Sequence, residues 1–183
     1  MKLQYAVLIL LYIFIHVNCT ASQSKQSFWV SLGIGSTFKA FDDNHSGISA
    51  GVIGNYKYAK NLISLQMISN SEMRSLAYNP RPNLSISHIS LILSKLLQGK
   101  DYLLSAGIGS GYNTFIERGE LVKDNWPSAS EYEKLVSHNI GMIVATQAFL
   151  HGSVFGFGVD YFININKKKT MSGFLFCLRF GKF

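Results

Sequence analysis

The stretch SAGIGSGYN, from Ser105 to Asn113, decides between two folds, because glycine-rich loops can cradle a phosphate and glycine-rich strands can line a narrow space. Its three glycines are Gly107, Gly109 and Gly111. They are spaced by two, whereas a dinucleotide-binding turn has the spacing G-x-G-x-x-G between a strand and a helix. Residues two apart lie on the same face of a β-strand. The stretch therefore predicts a strand with one small-residue face and one apolar face that includes Ile108 and Tyr112.

The same alternation recurs along most of the chain. In each segment bulky apolar residues at every second position oppose Gly, Ser, Asn, Gln or Thr, as in Phe28–Lys39 and in Phe155–Ile163. The predicted strands are residues 28–39, 48–58, 63–67, 85–97, 102–113, 136–150, 155–163 and 174–180. Eight alternating strands without a defensible helix predict an all-β, antiparallel, up-and-down barrel.

The connections predict which kind of barrel this is. Those after the second, fourth and sixth strands are short, whereas 70–83 and 114–135 are long and 166–170 is strongly basic. Short turns at one end and longer polar loops at the other are typical of bacterial transmembrane barrels, with the loops outside the cell. We expect 114–135 to be a solvated loop, or alternatively a recognition surface with Trp126 as the candidate contact residue.

The orientation of the two faces separates a membrane barrel from a soluble one. A soluble barrel fills its interior with large apolar side chains, whereas a membrane barrel carries them outside in a band about 25 Å tall. The small-residue face here suits a narrow polar lumen, although a soluble ligand-binding barrel remains an alternative. The ionisable residues on this face are Lys39, Lys57, Asp160 and Arg179. Because unpaired buried charges are costly, we expect them to form a paired network inside the lumen.

The first residues predict export. The apolar run 5–17 is shorter than the roughly 20 residues of a spanning helix, so residues 1–21 are expected to be a signal peptide and 22–183 the barrel domain. Lipidation at Cys19 is the alternative to its removal. The net charge of +7 is scattered except at 167–169, which predicts a solvated turn or, alternatively, a contact with lipopolysaccharide phosphates.

The last segment, GFLFCLRFGKF from Gly173 to Phe183, completes a pattern that resembles the small bacterial outer-membrane β-barrel family. That family includes the transmembrane domain of outer membrane protein A and the porin-family outer membrane protein beta-barrel domain. The resemblance implies an outer-membrane protein with a structural, adhesion or porin-like role and no enzymatic activity or cofactor. It implies as partners outer-membrane lipid, lipopolysaccharide, the barrel-assembly machinery and an extracellular loop ligand, but no nucleic acid.

The family ends its last strand in an aromatic residue that the assembly machinery reads. Phe183 matches this position, yet the apolar stripe of the strand is in the other register and ends at Phe180. Either Phe180 ends the functional stripe or the strand contains a bulge near Gly181, so both aromatic residues are candidates for the assembly signal.

One enzymatic alternative has a candidate site. Outer-membrane lipid A deacylases use a His and a Ser two apart on a strand, and His88 and Ser90 have that spacing. In the predicted register both face the lumen, which favours a polar lumen pair over a lipid-facing catalytic one. The remaining histidines are too dispersed to predict a metal site.

Overall fold

The computed structural model describes residues 26–39, 46–72, 84–123 and 131–183. The predicted signal segment, Cys19 and Trp126 lie outside these ranges. The eight strands form one closed antiparallel barrel in sequence order. They are β1 (Ser27–Lys39), β2 (Ser46–Tyr58), β3 (Asn61–Glu72), β4 (Leu84–Gln98), β5 (Tyr102–Lys123), β6 (Glu131–His151), β7 (Phe155–Ile165) and β8 (Met171–Gly181). The predicted fold class is therefore confirmed.

The strand register tilts the wall of the barrel. A circuit of directly paired residues that starts at Trp29 returns to the same strand at Lys39, ten residues further on. The pairs on this circuit pass through Asn55, Ser64, Ile92, Gly109, Ile143, Asn164 and Met171. A stagger of this size in eight strands corresponds to a strand tilt of about 35–45°.

One face of every strand is apolar and exposed. Its side chains include Leu32, Ile34, Val52, Leu65, Met67, Leu91, Ile108, Ile140, Phe157 and Phe176, which are 46–73% exposed. We call the end of the barrel that carries the short turns the turn end, and the opposite end the loop end. Exposed tyrosine and phenylalanine side chains lie near the turn end. The outer wall is therefore an apolar band. No helix in the described ranges is long and apolar enough to cross a bilayer.

The lumen is more apolar than the sequence predicted. A turn-end cluster of Trp29, Leu62, Leu96, Leu103 and Phe149 fills it at one end. A central cluster fills the middle and consists of Ile53, Ile68, Ile86, Ile92, Phe115, Ile143, Ala145, Phe162, Met171, Leu175 and Cys177. Buried polar side chains also face the lumen, among them Asn55, Gln66, Gln147, Asp160 and Arg179, so the expected polar chains are present and the bulky apolar filling is the difference. Because the barrel is narrow, bulky inward residues on some strands occupy the room that glycine leaves on others.

The glycine-rich stretch of β5 shows this complementarity. A Cβ atom built on Gly109 would lie 2.0 Å from the backbone oxygen of Leu91 and 2.9 Å from the side chain of Ile92. No side chain fits there, so glycine permits the close approach of β4 and β5.

The long connection after β5 is mostly strand, which corrects the prediction of a loop over 114–135. β5 runs to Lys123 and β6 begins at Glu131, with register irregularities between Arg118 and Lys123. β4 accompanies β5 only as far as Glu117, and β7 accompanies β6 only from Met142. We call residues 118–123 and 131–141 the outer ribbon. Its alternation was harder to recognise because both faces reach water and neither must be apolar.

Candidate functional site: a closed lumen and an outer ribbon

A buried ion pair lies between the two apolar clusters. The guanidinium of Arg179 donates from Nη2 to Oδ1 of Asp160, and both side chains are almost completely buried. The thiol of Cys177 donates to the other carboxylate oxygen, Oδ2, over 3.2 Å. The guanidinium carbon lies 3.7 Å from the ring centroid of Phe149, so the pair is also stacked on the turn-end cluster. In a low-dielectric lumen this arrangement neutralises both charges.

Of the two lysines proposed for the same network, Lys57 has a described contact with Gln98, whereas the side chain of Lys39 is not described. Lys57 lies near the turn end, is half-buried and donates from Nζ to Oε1 of Gln98. Lys39 ends β1 at the loop end, opposite Met171, and its side chain lies outside the described part. The structure thus brings Asp160 and Arg179 together, and it places Lys57 in a separate contact.

The C-terminal residue lies inside the turn end of the barrel. The ring of Phe183 lies 5.5 Å from Trp29, 5.7 Å from Phe149 and 4.9 Å from His151, measured between centroids. The chain turns inward at Gly181, whose φ of 148° is outside the usual range of other residues. Phe180, three residues earlier than Phe183, is 47% exposed on the apolar outer wall. The two candidate aromatic residues therefore have different surroundings.

Four asparagine amides form a closed hydrogen-bonded ring near the loop end. Going round it, Asn164 donates to Asn113 (2.5 Å), Asn113 to Asn139 (3.1 Å), Asn139 to Asn166 (3.2 Å) and Asn166 to Asn164 (3.3 Å). The ring surrounds Gly141, where a Cβ would lie 2.7 Å from Oδ1 of Asn164. Sequence reasoning missed the ring, whose signal was asparagine at inward positions of the three neighbouring strands β5, β6 and β7.

An ion-pair lid lies beyond the asparagine ring. In the turn after β7, Nζ of Lys168 lies 2.6 Å and Nζ of Lys169 3.1 Å from the carboxylate of Glu117. Lys168 also donates to Oγ of Ser137 over 2.7 Å. The hydrogen bond from Lys168 is the main reason that the pKa of Glu117 lies below its usual value. The basic turn is thus tied to β5 and β6.

The candidate catalytic pair lies in the lumen. His88 and Ser90 are both 2% exposed, and the His88 ring meets Phe162 edge-on with centroids 5.4 Å apart. Within the described part of the chain, both ring nitrogens of His88 lack a hydrogen-bond partner, and so does the hydroxyl of Ser90. The pair therefore lacks both the mutual contact and the access to lipid that acyl transfer needs. Within the same part, no group of three or more His, Cys, Asp or Glu side chains could hold a metal ion.

The outer ribbon has two exposed faces of different character. On the face that continues the outer wall, Arg118 lies directly opposite Lys134, and its guanidinium carbon is 4.3 Å from the ring centroid of Tyr132. Val136, two residues from Lys134, is 54% exposed on this face. On the other face lie Glu133, exposed, and Leu135, 48% exposed. Except for Val136, which was predicted to begin a strand, these residues were assigned to a loop by sequence reasoning, because their polarity does not alternate.

Comparison with solved structures shows the same architecture in small outer-membrane barrels. Neisserial surface protein A (NspA) superimposes with a TM-score of 0.60 at 10% identity, covering 88% of this chain and all of that one. The chain has the fold of a small eight-stranded outer-membrane β-barrel.

Two further structures share this fold. Ail, the attachment invasion locus protein of Yersinia pestis, matches with a TM-score of 0.53 at 8% identity, covering 88% of this chain and all of Ail. The N-terminal β-barrel domain of Pseudomonas aeruginosa OprF matches with 0.52 at 9% identity, covering 87% and 99%. No protein-family model and no curated protein sequence matches the chain. At these identities the likeness establishes the fold.

Proposed function

We propose that the chain is an integral protein of the bacterial outer membrane that acts in surface recognition or attachment through its outer ribbon. The observation that carries this proposal is the combination of a filled lumen with a two-stranded ribbon extending from the loop end. A filled lumen supports a role that does not depend on solute passage, and an extended ribbon offers exposed backbone and side chains. Ail, which shares the fold, is named as an attachment protein, and a role of that kind is consistent with this use of the ribbon.

Membrane insertion is supported by the outer wall. A continuous band of exposed Leu, Ile, Val, Phe and Met side chains would be an aggregation hazard in water but is what the lipid phase requires. The loop end would then be extracellular and the basic turn 167–169 would lie near lipopolysaccharide phosphates. The soluble-barrel alternative predicts instead that alkaline carbonate releases the protein from membranes, which we do not expect.

Attachment can be tested on bacterial cells that display the protein. In one variant residues 116–136 are replaced by an Asn-Gly turn between the paired residues Phe115 and Ser137, because that dipeptide suits a two-residue hairpin. The matched control replaces residues 75–80 by the same turn. We expect attachment to an epithelial cell layer to fall to the vector level only in the first variant, with heat-modifiable migration of both barrels retained. Attachment that survives loss of the ribbon would contradict the proposal.

Two assays test the competing roles. A porin-like role predicts steady single-channel conductance in planar bilayers, whereas the filled lumen leads us to expect none. A lipid A hydrolase predicts lipid A that has lost an acyl chain in cells expressing the protein, and that change would have to disappear in His88→Ala. Burial of His88 and Ser90 in the lumen leads us to expect unchanged lipid A mass spectra.

A further inference from the structure

The outer strand of the ribbon has an unpaired backbone edge. β6 pairs with β5 throughout but with β7 only from Met142 to His151, so residues 131–141 have no strand on their second side in the described part of the chain. The neighbouring turn 166–170 is described, and it reaches β6 through side chains, from Asn166 to Asn139 and from Lys168 to Ser137. No backbone hydrogen bond within the described ranges joins that turn to residues 131–141.

The direction of the backbone groups follows from two bonds at the other end of β6. His151 donates its backbone N–H to Asp101 on the β5 side, over 3.0 Å, and Gly152 donates to Phe155 on the β7 side, over 2.8 Å. In an antiparallel ladder successive residues point their N–H and C=O to opposite sides. The even-numbered residues of β6 therefore aim their backbone groups at the unpaired edge. They are Tyr132, Lys134, Val136, His138 and Ile140.

We propose that this edge of β6 binds an extended segment of another protein as an added antiparallel or parallel strand, with acidic side chains beside Lys134 and an apolar side chain beside Val136. The inference rests on the proposed recognition role and names the surface and the partner chemistry. Unpaired edges are templates for strand addition, and alternate side chains supply the specificity.

Charge supports an acidic partner. Lys134 is exposed on the outward face of the ribbon, directly opposite Arg118. Lys134 has no ion pair with any residue that the structure describes. A carboxylate on the added strand would lie next to Lys134 on the same face and form an ion pair with its ammonium group. Val136 is the next residue of β6 on the same face, on the side nearer the barrel, and its exposed side chain offers an apolar contact.

A second copy of this chain in the same membrane does not fit the edge. Two barrels in one membrane share the same outward direction, and their strands are each tilted by about 40° from the membrane normal. Related by an axis along the normal, the two β6 edges would cross at about 80°, the sum of the two tilts, instead of lying side by side. The geometry therefore favours a separate, flexible segment.

A short synthetic peptide tests the inference. The probe has seven residues, with glutamate at its second and sixth positions, valine at the fourth and threonine elsewhere, so that it presents the same pattern in either direction. Its binding to the full chain in detergent is followed by fluorescence anisotropy. We expect saturable binding, and at least about tenfold weaker binding of the same peptide with its alternate backbone amides methylated, because strand addition needs those donors.

Two variants at Val136 separate the contribution of its backbone N–H to peptide binding from that of its side chain. Val136→Pro removes an N–H that faces the unpaired edge and is expected to weaken binding at least about tenfold without breaking a bond to β5. Val136→Thr keeps the N–H and exchanges only one methyl group for a hydroxyl, so it is expected to weaken binding much less than the proline does, by up to about threefold. Lys134→Glu, which reverses the charge, should weaken binding about fivefold or more.

A failure of strand addition can be distinguished from misfolding of a variant. Heat-modifiable migration shows whether each variant is folded, and the methylated peptide tests the unchanged chain. Absence of saturable binding, equal binding of the methylated peptide, or unaltered binding by folded Val136→Pro would each overturn strand addition. If attachment of cells still depends on residues 116–136 in that case, the proposed recognition function stands and only the edge mechanism falls.

Discussion

The barrel wall and the outer ribbon are built from the same two strands, yet they obey different constraints. Within the barrel, β5 and β6 each have two neighbours and an inner face that is buried, as at Ile143 and Phe115. Beyond Glu117 on β5 and Met142 on β6, each strand has one described neighbour, and the side chains of residues 133–136 are exposed on both faces. The difference indicates that stability resides in the wall and lumen, whereas side chains on the ribbon can change with little effect on the stability of the barrel.

The largest expected effect concerns the lumen. Asp160→Ala leaves the buried Arg179 guanidinium without its carboxylate, which should lower the free energy of unfolding by about 3–5 kcal/mol. Urea unfolding in detergent, followed by heat-modifiable migration, measures the change. The double variant Asp160→Leu, Arg179→Met removes both charges and should recover most of the loss. An unfolding midpoint that does not move in Asp160→Ala would show that the ion pair does not stabilise the barrel.

A smaller effect is expected at the turn end. Phe183→Ala removes a half-buried ring from the turn-end cluster and should lower the free energy of unfolding by about 2 kcal/mol. Trp29, which the ring touches, should show a change in fluorescence. Because the Phe183 side chain lies inside the lumen, we expect this variant to reach the outer membrane at normal levels.

The control for Phe183 is Phe180, which lies on the outer wall. Phe180→Ala leaves the turn-end cluster intact and should reduce the amount of assembled barrel in cells, measured by heat-modifiable migration of membrane fractions. The opposite result, with assembly impaired only in Phe183→Ala, would assign the assembly signal to the terminal residue.

The ion-pair lid should have a smaller, pH-dependent effect. The pKa of Glu117 in the folded protein is lowered from its ordinary value of 4.5, chiefly by the hydrogen bond from Lys168. A lowered pKa adds stability above the unfolded value and loses it as pH falls through the folded value. Glu117→Gln should therefore be less stable than the unchanged chain at neutral pH, by less than about 1 kcal/mol because the group is partly exposed.

The unchanged chain and Glu117→Gln together also test the expected direction of the pH dependence. Urea unfolding midpoints at neutral pH and at successively lower pH should converge only below the ordinary glutamate pKa. A difference that grows on acidification would mean that the lid is held together by something other than the Glu117 carboxylate.

The smallest effect is expected on the ribbon. Val136→Thr changes an exposed residue with no neighbouring strand on its edge among the described residues, so the free energy of unfolding should stay within about 0.5 kcal/mol. The matched change on the same strand is Ile143→Thr in the central cluster, where burial of a hydroxyl should cost about 1–3 kcal/mol. Equal losses of unfolding free energy at the two positions would show that the ribbon contributes to stability as much as the central cluster does.

The amino-acid sequence determined the number of strands, their alternation and the direction of their apolar face. These properties follow from a period of two along each strand, which side-chain geometry imposes locally. The same reasoning placed Asp160 on one face with Lys39, Lys57 and Arg179. It could not choose which of these three cations pairs with Asp160, because that depends on the register around a closed ring.

Only the tertiary structure decided what fills the lumen and where the barrel ends. The glycines around Gly109 appeared to be a small-residue lining, yet side chains from other strands occupy that space, and such packing is non-local. The extension of β5 and β6 was hidden because a strand with two wetted faces need not alternate in polarity. Likewise, the turn at Gly181 sends Phe183 inward and leaves Phe180 on the outer wall, a separation that depends on the positive φ of one residue.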